Sequence, residues 1–234
     1  MDERLAIPRR FNGPPESANG GYACGLLAGR ASAILGSDGI TVTLHVPPPL
    51  DRDLQLERAG GRVLAWDDDR LIAVATPARP VIEEAGFVAA AEARAAESGY
   101  RGLAGHPFPT CFVCGTDRTD GLGLRPGQID NDVRTACVWR PRREDVCPEA
   151  VWAALDCPGG WTADLVSAPM VLHRMTAVVT RLPDAGTECI VVGRPDERGP
   201  RTLRTTTALY DGGGAVLGRA VATWATYDGV REAG

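Results

Sequence analysis

Alternation of apolar and polar residues predicts two sets of strands, one in each half of the chain. The first set lies at residues 40–46, 54–58, 62–66 and 71–75. The second set lies at residues 171–181, 188–193, 202–210 and 215–226, with a further strand at 135–139 ahead of it. A period of two is typical of strands that bury one face. The run Asp67-Asp68-Asp69 supplies a hairpin turn in the first set.

A central helix is predicted in each half. The first begins near Gly20, where Ser17 or Asn19 can cap it, and is predicted to end near residue 29. The second is predicted over residues 148–166, with Pro148 at the first helical position. Pro158 lacks a backbone N–H, so this second helix either stops there or continues with a kink.

An alanine-rich segment at residues 82–98 predicts a third helix that connects the two halves. We therefore expect an N-terminal unit at 1–80, a connecting segment at 81–104 and a C-terminal unit at 105–234. The order of helix followed by four strands occurs twice, which indicates an internal structural duplication.

Composition limits the classes of partner. The chain has 234 residues, is 44% hydrophobic and carries a formal net charge of −5. This charge argues against a nucleic-acid partner, and no stretch approaches the roughly 20 apolar residues of a membrane span. The sequence shows no export signal, so we expect a cytoplasmic location and no membrane partner. Its 7 cysteines cannot all pair within one chain, and free thiols are expected.

Asp156 is a single carboxylate within the apolar run 151–156. A buried carboxylate is costly unless it is paired or used in chemistry. Two interpretations stay open at this point. Asp156 either bonds backbone groups that Pro158 leaves free or acts as a catalytic group.

Three short segments resemble known proteins. CFVCG at 111–115, followed by GLGL at 121–124, resembles the opening of many hotdog-fold acyl-CoA thioesterase-like proteins. VWAALD at 151–156 resembles the helix segment of phenylacetyl-CoA-type thioesterases. The resemblance implies an α+β double hotdog. In that architecture two central helices are each wrapped by an antiparallel sheet, and the two units form a pseudo-dimer within one chain.

The helix motif of those thioesterases is divided between the two halves. In the family a His-Gly-Gly opens the helix, and an Asp follows nine positions after the His. Asp156 fills the Asp position, but residues 147–149 do not match His-Gly-Gly. Residues 19–21 resemble His-Gly-Gly with Asn for His, whereas Ala28 stands at the Asp position. The resemblance therefore implies one composite site per chain, between the two units.

The resemblance further implies hydrolysis of an acyl-CoA thioester, with coenzyme A as part of the substrate and no cofactor. Asp156 would be the base or nucleophile. Asn19 would orient the thioester or cap the helix. The N–H groups of Gly20 and Gly21, with that of Tyr22 as a third donor, would stabilise the oxyanion.

Two aromatic residues, Tyr22 beside the first motif and Trp152 within the second, are candidates for substrate binding. Arg140, Arg142 and Arg143 are candidates for the coenzyme A phosphates. The alternative for the three arginines is a solvated edge balanced by neighbouring carboxylates.

Cys111 and Cys114 have the spacing of a metal-binding pair, and His106 lies nearby. A zinc site of this kind needs a second pair at similar spacing, and the sequence has none. We therefore predict no metal. His45 and His173 fall within strand patterns, so a structural role is expected for both.

Two other functions remain compatible with the sequence. A hotdog hydratase or dehydratase would need a histidine paired with the carboxylate, and neither predicted helix contains one. A non-catalytic protein that binds acyl-CoA or fatty-acyl groups would need the same groove, and the sequence does not separate it from an enzyme. By analogy with related folds, assembly into a homodimer is a further expectation.

Overall fold

A single antiparallel sheet organises the computed structural model, which describes residues 3–79, 81–129 and 132–227. Its 11 strands follow the order β1-β3-β4-β5-β2-β8-β11-β10-β9-β7-β6. The strands are β1 (Glu3–Ala6), β2 (Ile40–Leu44), β3 (Asp53–Ala59), β4 (Arg62–Asp67), β5 (Arg70–Pro77), β6 (Gly127–Gln128), β7 (Thr135–Trp139), β8 (Met170–Val179), β9 (Cys189–Arg198), β10 (Thr202–Asp211) and β11 (Val216–Thr226). Every strand predicted from the alternation is confirmed; β1 and β6 were missed because each is too short to show a period.

Five helices accompany the sheet in the described ranges: α1 (Gly20–Leu35), α2 (Ala90–Glu97), α3 (Gly102–Gly105), α4 (Pro148–Ala154) and α5 (Cys157–Gly160). The five described helices include none that is both long and apolar enough to cross a membrane.

The two halves join edge to edge through β2 and β8. Three residue pairs form this junction, with Val42 opposite Met175 at its centre. The hydroxyl oxygens of Thr41 and Thr176 lie 2.6 Å apart beside it. The helix-and-strands units predicted from sequence are therefore parts of one continuous sheet. The division at residues 81–104 stays a prediction, because one apolar core extends through both halves.

Helix α1 is longer than predicted. It continues past Gly29, which is exposed and would have open space around an added Cβ. The helix ends at Gly36, whose φ of 63° places it in the left-handed region, and the Gly36 N–H donates to the Ser32 carbonyl. The predicted helix end at Gly29 is therefore wrong, and Gly36 is the glycine that ends the helix.

The prediction of one long second helix at 148–166 is wrong. Helix α4 ends at Ala154 and α5 begins at Cys157, with Asp156 at the break between them. Pro158 lacks the N–H that would bond to the carbonyl of Ala154 in a continuous helix. The break leaves Asp156 between two short helices rather than in the middle of one.

The connecting helix is also shorter than the predicted 82–98. Gly86 has a φ of 87°, which a right-handed helix does not allow. The segment before α2 is held instead by arginine side chains that donate to its carbonyls. Arg219 bonds the carbonyl of Ile82, and Arg194 bonds that of Glu84.

Glycines let α1 approach α4 at backbone distance. A Cβ on Gly21 would lie 2.5 Å from Asp156 Cβ and 2.8 Å from the Trp152 carbonyl oxygen. A Cβ on Gly25 would lie 2.8 Å from Trp152 Cβ. Gly21 and Gly25 therefore both contact the second helix region. This contact brings the N-terminal end of α1 to the break between α4 and α5.

Candidate active site

A cavity of about 210 Å³ lies between the two halves of the chain. From the first half, residues 13–14, 17–20 and 44–48 line it. From the second half, its lining comes from residues 106–108, 111, 114, 156–157, 161, 165, 170–173, 224–225 and 227. Most of the lining is apolar, with Asn19, Gly20 and Asp156 among the groups that meet there. An apolar cavity with a few convergent polar groups is the usual form of a small-molecule site.

Asp156 is held by groups from the first half. Its Oδ2 accepts hydrogen bonds from the Gly21 N–H at 2.9 Å and from Asn19 Nδ2 at 3.3 Å. The residue is 1% exposed. Its other oxygen, Oδ1, is buried and has no hydrogen-bond partner in the part of the chain that the structure describes. The structure thus brings Asn19 and Gly21 from the first half into direct contact with the carboxylate of the second.

The surroundings of Asp156 change its acidity. Burial raises the pKa of Asp156 to about 8, against the hydrogen bond from Gly21, which lowers it. The nearby Cys111 thiol raises this pKa further, and the Asn19 amide lowers it. A carboxyl group in this range can exchange a proton near neutral pH.

The N–H groups at the start of α1 are mostly occupied. Gly21 donates to Asp156, and the Tyr22 N–H donates to Asn19 Oδ1 at 2.9 Å. The prediction that Gly21 and Tyr22 offer free donors to an oxyanion is therefore wrong. Within the described ranges the Gly20 N–H has no partner, and Gly20 lines the cavity. A Cβ at Gly20 would lie 2.6 Å from Leu172 Cβ, which explains glycine there.

A second free donor comes from the last predicted strand, in a residue that was not predicted to belong to the site. Trp224 on β11 lines the cavity, and its Nε1 is buried with no partner among the described residues. Buried indole N–H groups usually have an acceptor. The unpartnered Nε1 is therefore a candidate donor to a bound molecule.

All 3 histidines of the chain line this cavity. His173 places Nδ1 at 3.0 Å from the carbonyl oxygen of Leu44, so Nδ1 is the donor in this contact. His45 is exposed, and His106 is partly buried. Structural roles were predicted for His45 and His173 from their strand patterns. Their approach to one cavity depends on the pairing of β2 with β8, which the sequence pattern does not show.

Comparison with solved structures identifies the architecture. A hot dog fold protein of unknown function from Alicyclobacillus acidocaldarius is 13% identical, with 97% of this chain and 93% of that chain covered and a TM-score of 0.61. The tesB protein of Mycobacterium avium subspecies paratuberculosis is 11% identical, with 96% and 92% covered and a TM-score of 0.60. The fold is a double hotdog.

A third double-hotdog match comes from Novosphingobium aromaticivorans, from a protein provisionally named a thioesterase. It is 15% identical, with 96% of this chain and 94% of that chain covered and a TM-score of 0.61. No protein-family model matches this sequence, and neither does the sequence of any curated protein. Likeness at this level of identity shows the fold and leaves the activity to be argued from the site.

Tyr22 and Trp152 do not line the cavity of this double hotdog, which corrects their predicted role in substrate binding. The Tyr22 ring stacks on Phe11 with centroids 3.8 Å apart. Trp152 packs under α1 at Gly25. Both side chains are therefore part of the core, Tyr22 in an aromatic cluster with Phe11 and Phe112 and Trp152 against α1.

The three predicted phosphate-binding arginines also lie outside the cavity lining. Arg140 is ion-paired with Glu188 at 2.6 Å, and Arg142 with the buried Asp145 at 2.7 Å. Arg143 is exposed. The alternative of a solvated, charge-balanced edge describes these arginines better.

Three cysteines form part of the cavity wall. The Sγ atoms of Cys111, Cys114 and Cys157 all lie within 4.8 Å of one another. The sequence shows no second pair of metal ligands at the spacing of Cys111 and Cys114. Cys157 approaches them because it follows Asp156 at the break between α4 and α5, and no spacing rule indicates that approach.

Proposed function

We propose that this chain hydrolyses acyl-CoA thioesters in the cavity between its halves, with Asp156 as the general base. The observation that carries the proposal is the asymmetric environment of the Asp156 carboxylate. One oxygen is fixed by Gly21 and Asn19 from the opposite half, and the other is buried without a partner in a residue that lines the cavity. A fixed carboxylate with one unused oxygen suits proton transfer to and from a bound reactant.

The reaction follows from these groups. Asp156 Oδ1 takes a proton from a water molecule as the water oxygen adds to the thioester carbonyl carbon. The N–H groups of Gly20 and Trp224 donate to the carbonyl oxygen as negative charge develops on it. The tetrahedral intermediate then collapses, the carbon–sulfur bond breaks, and the leaving thiolate takes the proton back from Asp156. The products are a carboxylic acid and a free thiol.

Asn19 acts as a positioning residue in this scheme. Its Oδ1 caps α1 through the Tyr22 N–H, while its Nδ2 holds Asp156 Oδ2. One side chain therefore fixes both the helix end that carries Gly20 and the carboxylate. The apolar remainder of the cavity suits an acyl chain. Two solved structures of similar fold, from Novosphingobium aromaticivorans and Thermobifida fusca, are provisionally named thioesterases, which supports this reaction class by analogy.

The test is a hydrolysis screen against acyl-CoAs of different chain length and head group, with release of free thiol as the signal. Asp156→Asn keeps the shape of the side chain and removes the base, so turnover should fall by about 10²-fold or more. Asp145→Asn is the matched control, because Asp145 is a buried carboxylate outside the cavity lining. Melting curves for both variants separate loss of folding from loss of the base.

The outcomes separate the alternatives. A non-catalytic binding protein would bind acyl-CoA without releasing thiol in the wild type, and Asp156→Asn would change its affinity little. A hydratase would change an unsaturated acyl-CoA without releasing thiol. Hydrolysis at the wild-type rate by Asp156→Asn would overturn the proposed role of Asp156. Cytoplasmic location and a homodimer stay predictions.

A further inference from the structure

Three buried thiols from two distant segments meet beside the proposed hydrolytic site. Cys111 and Cys114 come from one loop and Cys157 from the start of α5, and each is 5% exposed or less. Their Sγ atoms lie within 4.8 Å of one another. Tetrahedral zinc with sulfur ligands at about 2.3 Å requires sulfur–sulfur separations of about 3.8 Å, so the cluster is close to the size of a metal site.

The loop that carries the first two cysteines directs backbone N–H groups at sulfur. The N–H groups of Val113 and Cys114 donate to Cys111 Sγ. The Gly115 N–H closes the turn by donating to the Cys111 carbonyl at 2.9 Å. A Cβ on Gly115 would lie 2.6 Å from that carbonyl oxygen, so the turn is tight enough to need glycine.

Side-chain donors complete the surroundings of Cys114. Trp161 Nε1 lies 3.4 Å from Cys114 Sγ, and His106 Nε2 lies 3.3 Å from it. His106 Nδ1 accepts the N–H of Phe108 at 2.9 Å, so in the neutral ring Nε2 carries the proton. His106 is therefore a donor to the sulfur and not a ligand in this arrangement.

The other two sulfurs share one further donor. Asn19 Nδ2 lies 3.9 Å from Cys111 Sγ and 3.8 Å from Cys157 Sγ. Every sulfur of the cluster therefore has a polar hydrogen donor beside it, and such donors orient the ligand atoms of a metal site.

We propose that Cys111, Cys114 and Cys157 bind one Zn²⁺ ion as thiolates in the cavity wall. Zinc displaces the three thiol protons, and no electron is transferred. Soft thiolate ligands favour Zn²⁺ over hard cations such as Mg²⁺. The three sulfurs leave a fourth, exchangeable position for water or a bound molecule. The site does not depend on the proposed hydrolysis, because a protein that only binds acyl groups would carry the same cluster.

The first experiment measures metal content by elemental analysis of protein purified without chelators. We expect about one zinc per chain. Cys111→Ser and Cys157→Ser should each retain less than about a tenth of it, because two thiolates hold zinc poorly. Cys137→Ser is the matched control, since Cys137 is fully buried and lies outside the cluster. His106→Gln should keep the zinc, because the His106 ring donates a hydrogen bond to Cys114 and is not a ligand.

A second experiment uses the wild-type protein, so that a variant that fails to fold leaves the test intact. Metal-free, reduced protein is titrated with Co²⁺, which reports sulfur ligands by thiolate-to-cobalt charge-transfer bands and four-coordinate geometry by intense visible bands. Addition of Zn²⁺ should abolish these bands by displacing the cobalt.

Three results would overturn the proposal. Reduced wild-type protein that binds neither Zn²⁺ nor Co²⁺ would exclude the site. Zinc that is retained at one per chain in both Cys111→Ser and Cys157→Ser would place the metal elsewhere. Cobalt bound without charge-transfer bands would exclude sulfur ligands. Failure of hydrolysis with about one zinc per chain would count against the proposed function alone.

Discussion

Gly21 offers a sharp test of the contact between the two central helices. Its missing side chain allows α1 to lie against the break between α4 and α5. An added Cβ would lie 2.5 Å from Asp156 Cβ, 2.8 Å from the Trp152 carbonyl oxygen and 3.0 Å from Ala153 Cα. Two of these neighbours are backbone atoms, so a change of side-chain rotamer cannot relieve the overlap. Gly21→Ala must therefore move one helix relative to the other.

The expected cost follows from this overlap. Overpacking of a close-packed interior by one methyl group costs about 1–3 kcal/mol. For a chain of this length, each kcal/mol lowers the melting temperature by about 2–4 °C. Gly21→Ala should therefore melt about 2–12 °C below the wild type. Hydrolysis should also slow, because the movement of the helix displaces the Gly21 N–H, which is one of two donors that hold Asp156 Oδ2.

Gly29→Ala is the matched control in the same helix. An added Cβ at Gly29 meets no atom within 4 Å, and the residue is exposed. The higher helix propensity of alanine should stabilise this variant by about 0.5–1 kcal/mol and leave hydrolysis unchanged. The two variants are compared by thermal melting and by thiol release. Equal or higher stability for Gly21→Ala than for the wild type would refute the packing described for α1 and α4.

Three further substitutions test the ends of α1. Asn19→Ala removes the cap on Tyr22 and one donor to Asp156, so the free energy of unfolding should fall by about 0.5–2 kcal/mol and hydrolysis should slow, while unchanged melting would argue against the cap. Gly36→Ala places alanine at a φ of 63°, which should cost about 1 kcal/mol. Gly36→Asn should cost less, because asparagine tolerates this region, and denaturant titration that ranks the two in the opposite order would contradict the left-handed cap.

The strands were predictable because each buries one face and so alternates over several residues. The helix boundaries were less predictable, because glycine has two roles in α1. Gly29 lies on an open helix face, whereas Gly36 adopts the left-handed conformation that ends the helix. In the sequence both residues are simply glycine, and nothing near them distinguishes the two roles. In the connecting segment, Gly86 interrupts an alanine-rich pattern that otherwise favours a helix.

The candidate site was predictable only where a local motif carried it. The divided helix motif indicated Asp156 and Asn19, which the structure joins by a hydrogen bond. Whether a backbone N–H at the start of α1 is free depends on which acceptors the tertiary fold places beside it. The Gly21 N–H, which was predicted to bind substrate, donates to Asp156 instead. Trp224 and Cys157 reach the cavity through tertiary folding, and neither has a spacing that would have indicated its role.

Residues from both halves line the cavity, and the two halves are encoded separately within one gene. In a symmetric dimer of identical subunits, every substitution would alter both sides of the interface at once. Here Asn19 and Asp156 can be varied one at a time, because each occurs on one side only. A library confined to residues 13–48 would reshape one wall of the cavity and leave the carboxylate side unchanged. A cavity built from two different halves of one chain is therefore open to asymmetric redesign.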